Sequence, residues 1–165
     1  CYIFHQKFGV LTNVVRPFNV YGPGMQENDY RVLPNFASRI KSSQPLKIYG
    51  SGRQTRTFCY VTDAIAGFLR ILAKGIPGET YNIGNPTPEV SMMDLVRRTQ
   101  VVLGRPVKHT LVEYPDSYPA DEPMRRSPDI SKARLQLGFE PKVSLNEGLR
   151  RFFKWALAAY AGDKS

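Results

Sequence analysis

Stretches with a helical repeat of apolar residues alternate along this chain with short apolar runs of strand length. That alternation restricts the fold more than any other feature. CYIFHQKF reads as the end of an amphipathic helix closed by Gly9. Val14 and Val15 have a buried-strand pattern that Pro17 and Asn19 end, and YGPGMQENDYR is a loop rich in glycine and proline. VLPNFASRIKSS is helical, with Phe36 and Ile40 four apart on one face. Leu46–Tyr49 and Phe58–Val61 are two short strands. In TDAIAGFLRILAKG, Thr62 or Asp63 can cap a helix whose Ile65, Phe68, Leu69 and Leu72 recur at helical spacing, with Gly75 after its last turn. ETYNIG is a brief strand. Ser91 and Asp94 form a capping box before DLVRRTQVVLG, and VKHTLVEY is a strand. The proline-rich PDSYPADEPMRRSPD is long enough to be functional. A short helix over ISKARLQLG follows, then a second capping box, Ser144 and Glu147, before the last helix, whose apolar stripe is Leu149, Phe152, Phe153 and Leu157. The pattern is α/β, or an α+β lobe of something larger, because the strands are too few and short for a complete doubly wound sheet.

With 165 residues, 42% hydrophobic and 22% charged, the chain has the make-up of one soluble domain, and no apolar run reaches membrane-span length. The opening residues lack the ordered parts of a signal peptide. The chain starts at Cys1, in what reads as mid-helix, which suggests a fragment or a processed product. Cys1 and Cys59 have no metal or redox spacing, Cys59 reads as a buried free thiol, and His5 and His109 stand far apart without cysteine partners. No metal site is expected, and the setting is expected to be cytoplasmic. The net charge of +9 favours anionic partners, but lysine and arginine are scattered rather than gathered in a stripe, so nucleic acid is not the expected ligand.

LKIYGSGRQTRTFCYV, residues 46 to 61, sets Arg53, Gln54 and Arg56 on a glycine-flexed turn between two strands. It is either a hairpin with a solvated tip or an anion site. Elsewhere there is no glycine-rich strand-to-helix fingerprint, no phosphate loop with its lysine, and no Ser–His–Asp or Cys–His arrangement. No catalytic residue is assigned.

Four segments in series resemble the extended short-chain dehydrogenase/reductase family that acts on nucleotide sugars. RPFNVYGPG (16–24), IYGSGRQTRTFCYVTD (48–63), YNIGN (81–85) and RRSPDISKARLQLGFEPKVSLNEGLRRFFKW (125–155) are similar, in order and spacing, to that family's C-terminal part. The resemblance covers nearly the whole chain. NDYRVLPNF and ADEPMRRSPD look most like UDP-glucuronate decarboxylases, with UDP-sugar 4-epimerases and dTDP-glucose 4,6-dehydratases as alternatives.

The resemblance implies a single portion, residues 1–165, serving as the substrate-binding part of a Rossmann-type fold, with short strands and several helices. The NAD-binding domain and the Tyr-x-x-x-Lys pair of the family would lie outside it. Tyr2 is followed at the fourth position by Gln6, so it is not that pair, and the chain alone is expected to be inactive. The implied ligand is a UDP-sugar or other nucleotide sugar, the implied cofactor NAD, and the implied assembly a homodimer. Arg56 would contact the diphosphate or ribose, with Gln54 beside it, and the strand bearing Lys47 and Tyr49 would meet the base. Asn19 would reach a phosphate oxygen or sugar hydroxyl, and Leu33 the uridine by its backbone. Arg31 would touch the NAD pyrophosphate. Arg126 would close over the substrate diphosphate, with Arg125 as the alternative. Asp129 reads as a helix cap, and Arg97, Arg98, Arg150 and Arg151 as solvated charge. The competing class is a non-catalytic module that binds polyanions or docks a partner.

Overall fold

The structure, a computed structural model, describes residues 1–114 and 123–161. The elements in chain order are α1 (Tyr2–Phe8), β1 (Val14–Pro17), β2 (Val20–Tyr21), α2 (Val32–Lys41), β3 (Leu46–Tyr49), β4 (Thr55–Arg56), β5 (Cys59–Tyr60), α3 (Val61–Lys74), β6 (Thr80–Ile83), β7 (Val90–Ser91), α4 (Met92–Leu103), β8 (His109–Val112), β9 (Arg125–Arg126), α5 (Ser131–Leu137) and α6 (Leu145–Ala159). They are gathered into two compact units, one from residues 1–20, 57–88 and 127–143, the other from 21–56, 89–126 and 144–165.

In the first unit β1 and β6 run parallel, Val14 opposite Thr80 and Pro17 opposite Ile83. The core joins Cys59, Ala64, Ile71, Tyr81, Ile83, Ile130, Ala133, Leu137 and Phe139. Burial in this apolar setting pushes the Cys59 thiol up to about 12, which makes it the inert thiol expected. Tyr81 buries its ring there and still satisfies its hydroxyl, which accepts from Ile76 N (3.0 Å) and donates to Gln136 Oε1 (3.0 Å). Gly67 lets α3 come close to this core, since a Cβ there would stand 2.9 Å from Ile83 and 3.0 Å from Phe139.

Two expectations for α3 change. Its N-cap is Tyr60, and no side chain caps it. Asp63, in the first turn, turns its carboxylate away to accept Lys142 N (3.0 Å) and Val143 N (2.8 Å), tying down the segment after α5. The buried positions of α3 are Asp63, Ala64, Gly67 and Ile71, while Ile65, Phe68, Leu69 and Leu72 are exposed. The helix is apolar over more than one face, and its small side packs closest. Tyr2, Phe4 and Phe8 of α1 are exposed as well.

In the second unit β3 and β8 run parallel, Leu46 opposite His109 and Tyr49 opposite Val112. A second sheet has the order β7–β4–β9, with β4 antiparallel to β7 and parallel to β9. Helices α2 and α4 both pack on α6, and α2 also packs on β3. Leu33, Phe36, Ile40, Leu95, Val96, Leu149, Phe152 and Phe153 are buried. The Ser91–Asp94 capping box forms in full, with Asp94 N donating to Ser91 Oγ at 3.0 Å. Ser144 caps α6, but the Glu147 carboxylate pairs with Arg150 and Arg151 instead of reaching back, so the second box is half formed.

The run at 46–61 is no hairpin. β3 pairs with β8, the expected strand Phe58–Val61 shortens to β5, which does not pair with β3, and Val61 begins α3; the expected loop contains β4, which pairs with β7 and β9. The arginine at 56 is in a central strand rather than at a solvated tip.

Candidate functional site

β4 occupies the middle of its sheet, so its two residues have neighbours on both sides. Thr55 lies opposite Ser91 and Arg125, and Arg56 opposite Val90 and Arg126. Residues in register share a face, and successive residues alternate between faces. Arg56 and Arg126 therefore stand side by side on one face, and Arg125 belongs to the other.

Chemistry follows the same division. Glu89 accepts from Arg125 Nε (3.0 Å to each oxygen) and Nη2 (2.8 Å), and takes the Thr55 hydroxyl too. Arg125, and after it Thr55, holds the Glu89 carboxyl below the usual carboxylate range. One face thus carries a neutralised acid–base pair. On the other, Arg56 is only 7% exposed, with Nη1 donating to Thr55 O at 2.8 Å. Arg126 is exposed, and its side chain has no hydrogen-bond or ion-pair partner among the described residues.

β3 presents two different faces. Leu46 and Ile48 are buried, whereas Lys47 is exposed and Tyr49 half-buried, as expected of a strand that packs one side and offers the other. The Tyr49 ring stacks on Tyr114, with centroids 5.5 Å apart and planes at 22°. Gln54, 8% exposed, donates its amide to Tyr49 O (2.9 Å) and Tyr114 Oη (3.2 Å). It precedes β4 by one residue, and by alternation falls on the Arg56 side.

The other candidates lie apart from this cluster in role. Leu33 is a core residue by its side chain, near the start of α2, which opens with no side-chain cap. Arg31 is engaged by Asp29, with Nε at 3.0 and 2.9 Å from the carboxylate oxygens and Nη2 paired as well. That contact with Arg31 lowers the Asp29 carboxyl. In the first unit, Asn19 has a left-handed backbone (φ 43°), and its amide donates to Thr57 O at 2.8 Å. Its Oδ1 accepts no hydrogen bond among the described residues. Thr57 Oγ1 is buried without a partner. Asp129 accepts from Ser131 N at 2.8 Å, but the N-cap of α5 is Ile130 and no side chain caps that helix, so the expected cap becomes a turn contact one residue earlier. Gln6 Nε2 reaches the Tyr2 hydroxyl at 2.6 Å, but a neutral amide gives a phenol none of the electrostatic help of an ammonium.

Sequence reasoning passed over Glu89 and Tyr114. Glu89 sorts the two neighbouring arginines, and only a strand register reveals that. Tyr114 is an aromatic two residues past β8 and directly before a proline, which was the available signal. Residues 115–122 of the proline-rich segment lie outside the described residues. Among the described residues there is no group of three His, Cys, Asp or Glu able to hold a metal, and no helix long and apolar enough to cross a membrane.

Residues 1–84 match the NAD dependent epimerase/dehydratase family. The chain is 40% identical to UDP-glucuronic acid decarboxylase 1 of Arabidopsis thaliana over 148 residues, which is 90% of this chain and 33% of the relative. The fold is similar to that of UDP-glucuronic acid 4-epimerase from Bacillus cereus, solved in complex with UDP-glucuronic acid and NAD. The TM-score is 0.86 at 31% identity, over 97% of this chain and 49% of that one. It is also similar to dTDP-glucose 4,6-dehydratase from Streptomyces venezuelae, solved with NAD, with a TM-score of 0.83 at 26% identity over 96% of this chain and 47% of that one. The chain belongs to the NAD dependent epimerase/dehydratase family, and its α/β architecture is of that Rossmann type. It spans about a third of the curated relative and about half of each solved structure.

Proposed function

We propose that this chain is the nucleotide-sugar-binding part of an NAD-dependent enzyme, and that the whole enzyme decarboxylates UDP-glucuronate. The observation that carries the binding role is the pair of guanidiniums at one register position, Arg56 and Arg126, with the neighbouring acid spent on Arg125 on the other face. Two like charges on adjacent strands repel, and an anion between them turns that repulsion into attraction. Planar guanidinium forks match phosphate oxygens, so a diphosphate is the natural occupant. Lys47 and Tyr49 would meet the base, Gln54 would line the passage between base and diphosphate, and Leu33 N–H would serve the uridine. Asn19, through its unoccupied Oδ1, would reach a phosphate or sugar hydroxyl.

The 165 residues contain neither the glycine-rich NAD fingerprint nor a Tyr-x-x-x-Lys pair in the family's position. Toward NAD the chain offers Arg31, whose charge Asp29 already neutralises, so these residues do not build a dinucleotide site. Hydride chemistry on the sugar would be supplied by NAD held outside these residues, and no residue described here takes part in it. This portion contributes orientation and charge neutralisation and would not turn over alone. The subfamily reading rests on the decarboxylase relative; a UDP-sugar 4-epimerase or a dTDP-glucose 4,6-dehydratase is the alternative the solved structures support. We further place the protein in the cytoplasm as a homodimer, with the exposed apolar residues of α1 and α3 as surface that association would cover.

Calorimetric titration with UDP, dTDP and UDP-glucuronate tests the reading. Saturable binding of UDP and UDP-glucuronate in preference to dTDP is expected. A folded protein that binds none of the three overturns it.

A further inference from the structure

Arg98 stands apart from the other arginines whose spacing reads as solvated charge. Arg97 pairs with Asp94, and Arg150 and Arg151 pair with Glu147. Arg98 is half-buried on α4 and has no carboxylate partner among the described residues. Its Nη1 donates instead to Oδ1 of Asn146, in the first turn of α6, at 2.9 Å. The Asn146 Nδ2 and the remaining N–H groups of the guanidinium have no acceptor among the described residues. Both side chains line a cleft of about 390 Å³, together with Glu89, Asp94, Arg97 and Val101. That volume is near the lower end for ligand pockets and suits one small molecule.

The charges around the cleft choose its occupant. Arg97 is engaged by Asp94, and Glu89 by Arg125. Arg98 is the charge left over, so an anion is favoured. A guanidinium fork matches a carboxylate, and the Asn146 amide adds a neutral donor beside it. A phosphate dianion would bring a second negative charge toward Glu89 and Asp94, which a single carboxylate does not. Those two acids stay ionised, Glu89 held low by Arg125 and Asp94 by Ser91, and their oxygens can accept from hydroxyls. We propose that this cleft binds a small hydroxylated carboxylate the size of one sugar ring, its carboxyl group on Arg98 and Asn146 and its hydroxyls toward Glu89 and Asp94. The cleft is distinct from the nucleotide-sugar position, since Tyr49, Gln54, Arg56 and Arg126 do not line it. It is expected to bind whether or not the chain binds UDP.

Heteronuclear NMR of labelled protein tests this with D-glucuronate as the probe and D-glucose and inorganic phosphate as controls. Glucuronate should give saturable shifts at the backbone amides of residues 97–101 and at the Asn146 side-chain amide. Glucose and phosphate should bind there at least about tenfold more weakly, because each lacks half of the recognition. Asn146→Asp sets a carboxylate against Arg98, at a helix start where negative charge is favourable. Its melting temperature should hold or rise, while glucuronate affinity falls about tenfold or more. Arg98→Gln carries the same affinity expectation should that variant fail to fold. No saturable shift in wild type overturns the proposal, as do shifts confined to β3, β4 and β9. Unchanged glucuronate affinity in a folded Asn146→Asp or Arg98→Gln overturns it too, and phosphate binding as tightly as glucuronate overturns the carboxylate assignment.

Discussion

Replacing Asp63 with alanine removes one carboxylate oxygen that accepts two backbone N–H groups, from Lys142 at 3.0 Å and Val143 at 2.8 Å. Asp63 is 7% exposed, so water reaches the site poorly. Hydrogen bonds to a charged acceptor contribute about 1.5–3 kcal/mol each. Lys142 itself is exposed, and water can partly replace the lost acceptor there, so the lower figure applies to that bond. Asp63 also lies in the first turn of α3, where a negative charge adds about 0.3–1 kcal/mol. The expected loss for Asp63→Ala is about 3–5 kcal/mol. At about 2–4 °C per kcal/mol for a chain of this size, that is roughly 6–20 °C of melting temperature. Asp63→Asn retains a neutral acceptor and should lose about half as much. Thermal and urea unfolding followed by circular dichroism measure both. A melting temperature for Asp63→Ala within about 2 °C of wild type would refute the reasoning, and would mean that the 142–143 segment is held by packing alone.

Thiol reactivity offers a second check. A thiol at about 12 is almost wholly protonated near pH 8, so Ellman's reagent should titrate Cys1 in the native protein and both cysteines after denaturation. Two fast native thiols would contradict the burial of Cys59. Carboxyls that pairs and hydrogen bonds hold low contribute to the pH dependence, among them Asp29 by Arg31, Asp94 by Ser91, Asp129 by Ser131 and Glu147 by Arg151. Their folded values lie below their unfolded ones, so their contribution is complete above about pH 4–5 and is lost as pH falls through the lowered values. Melting temperature should fall progressively in acid, and a flat or rising profile from pH 5 to 2.5 would count against these contacts. The apolar residues on α1 and α3 should drive concentration-dependent association in sedimentation, which Leu69→Glu with Leu72→Glu should reduce without lowering the melting temperature, since both positions are exposed. A monomer insensitive to dilution would remove that expectation.

What could be read from sequence was local. Gly9, Gly104 and Gly138 end their helices in the left-handed conformation, and Ser91 with Asp94 starts one, because caps are decided by residues three or four apart. The hidden features depend on distant partners. β9 is two residues inside a proline-rich segment and gains strand geometry from β4, some seventy positions earlier. The buried face of α3 could not be told from spacing, since both its small side and its large side are apolar. The hairpin at 46–61 failed for the same reason, as each half pairs elsewhere. In the candidate site, Arg56, Arg126, Gln54 and Tyr49 came from resemblance to a family rather than from periodicity. The separation of Arg126 from Arg125 needed the sheet register and Glu89.

That separation can be measured directly. UDP affinity should be compared calorimetrically in wild type, Arg126→Ala and Arg125→Ala. With Arg126 facing the diphosphate beside Arg56, Arg126→Ala should bind about 10–100-fold more weakly, the worth of a charge-assisted phosphate contact, while Arg125→Ala stays within about threefold. Equal losses in the two variants, or a loss confined to Arg125→Ala, would contradict the assignment of the cationic face.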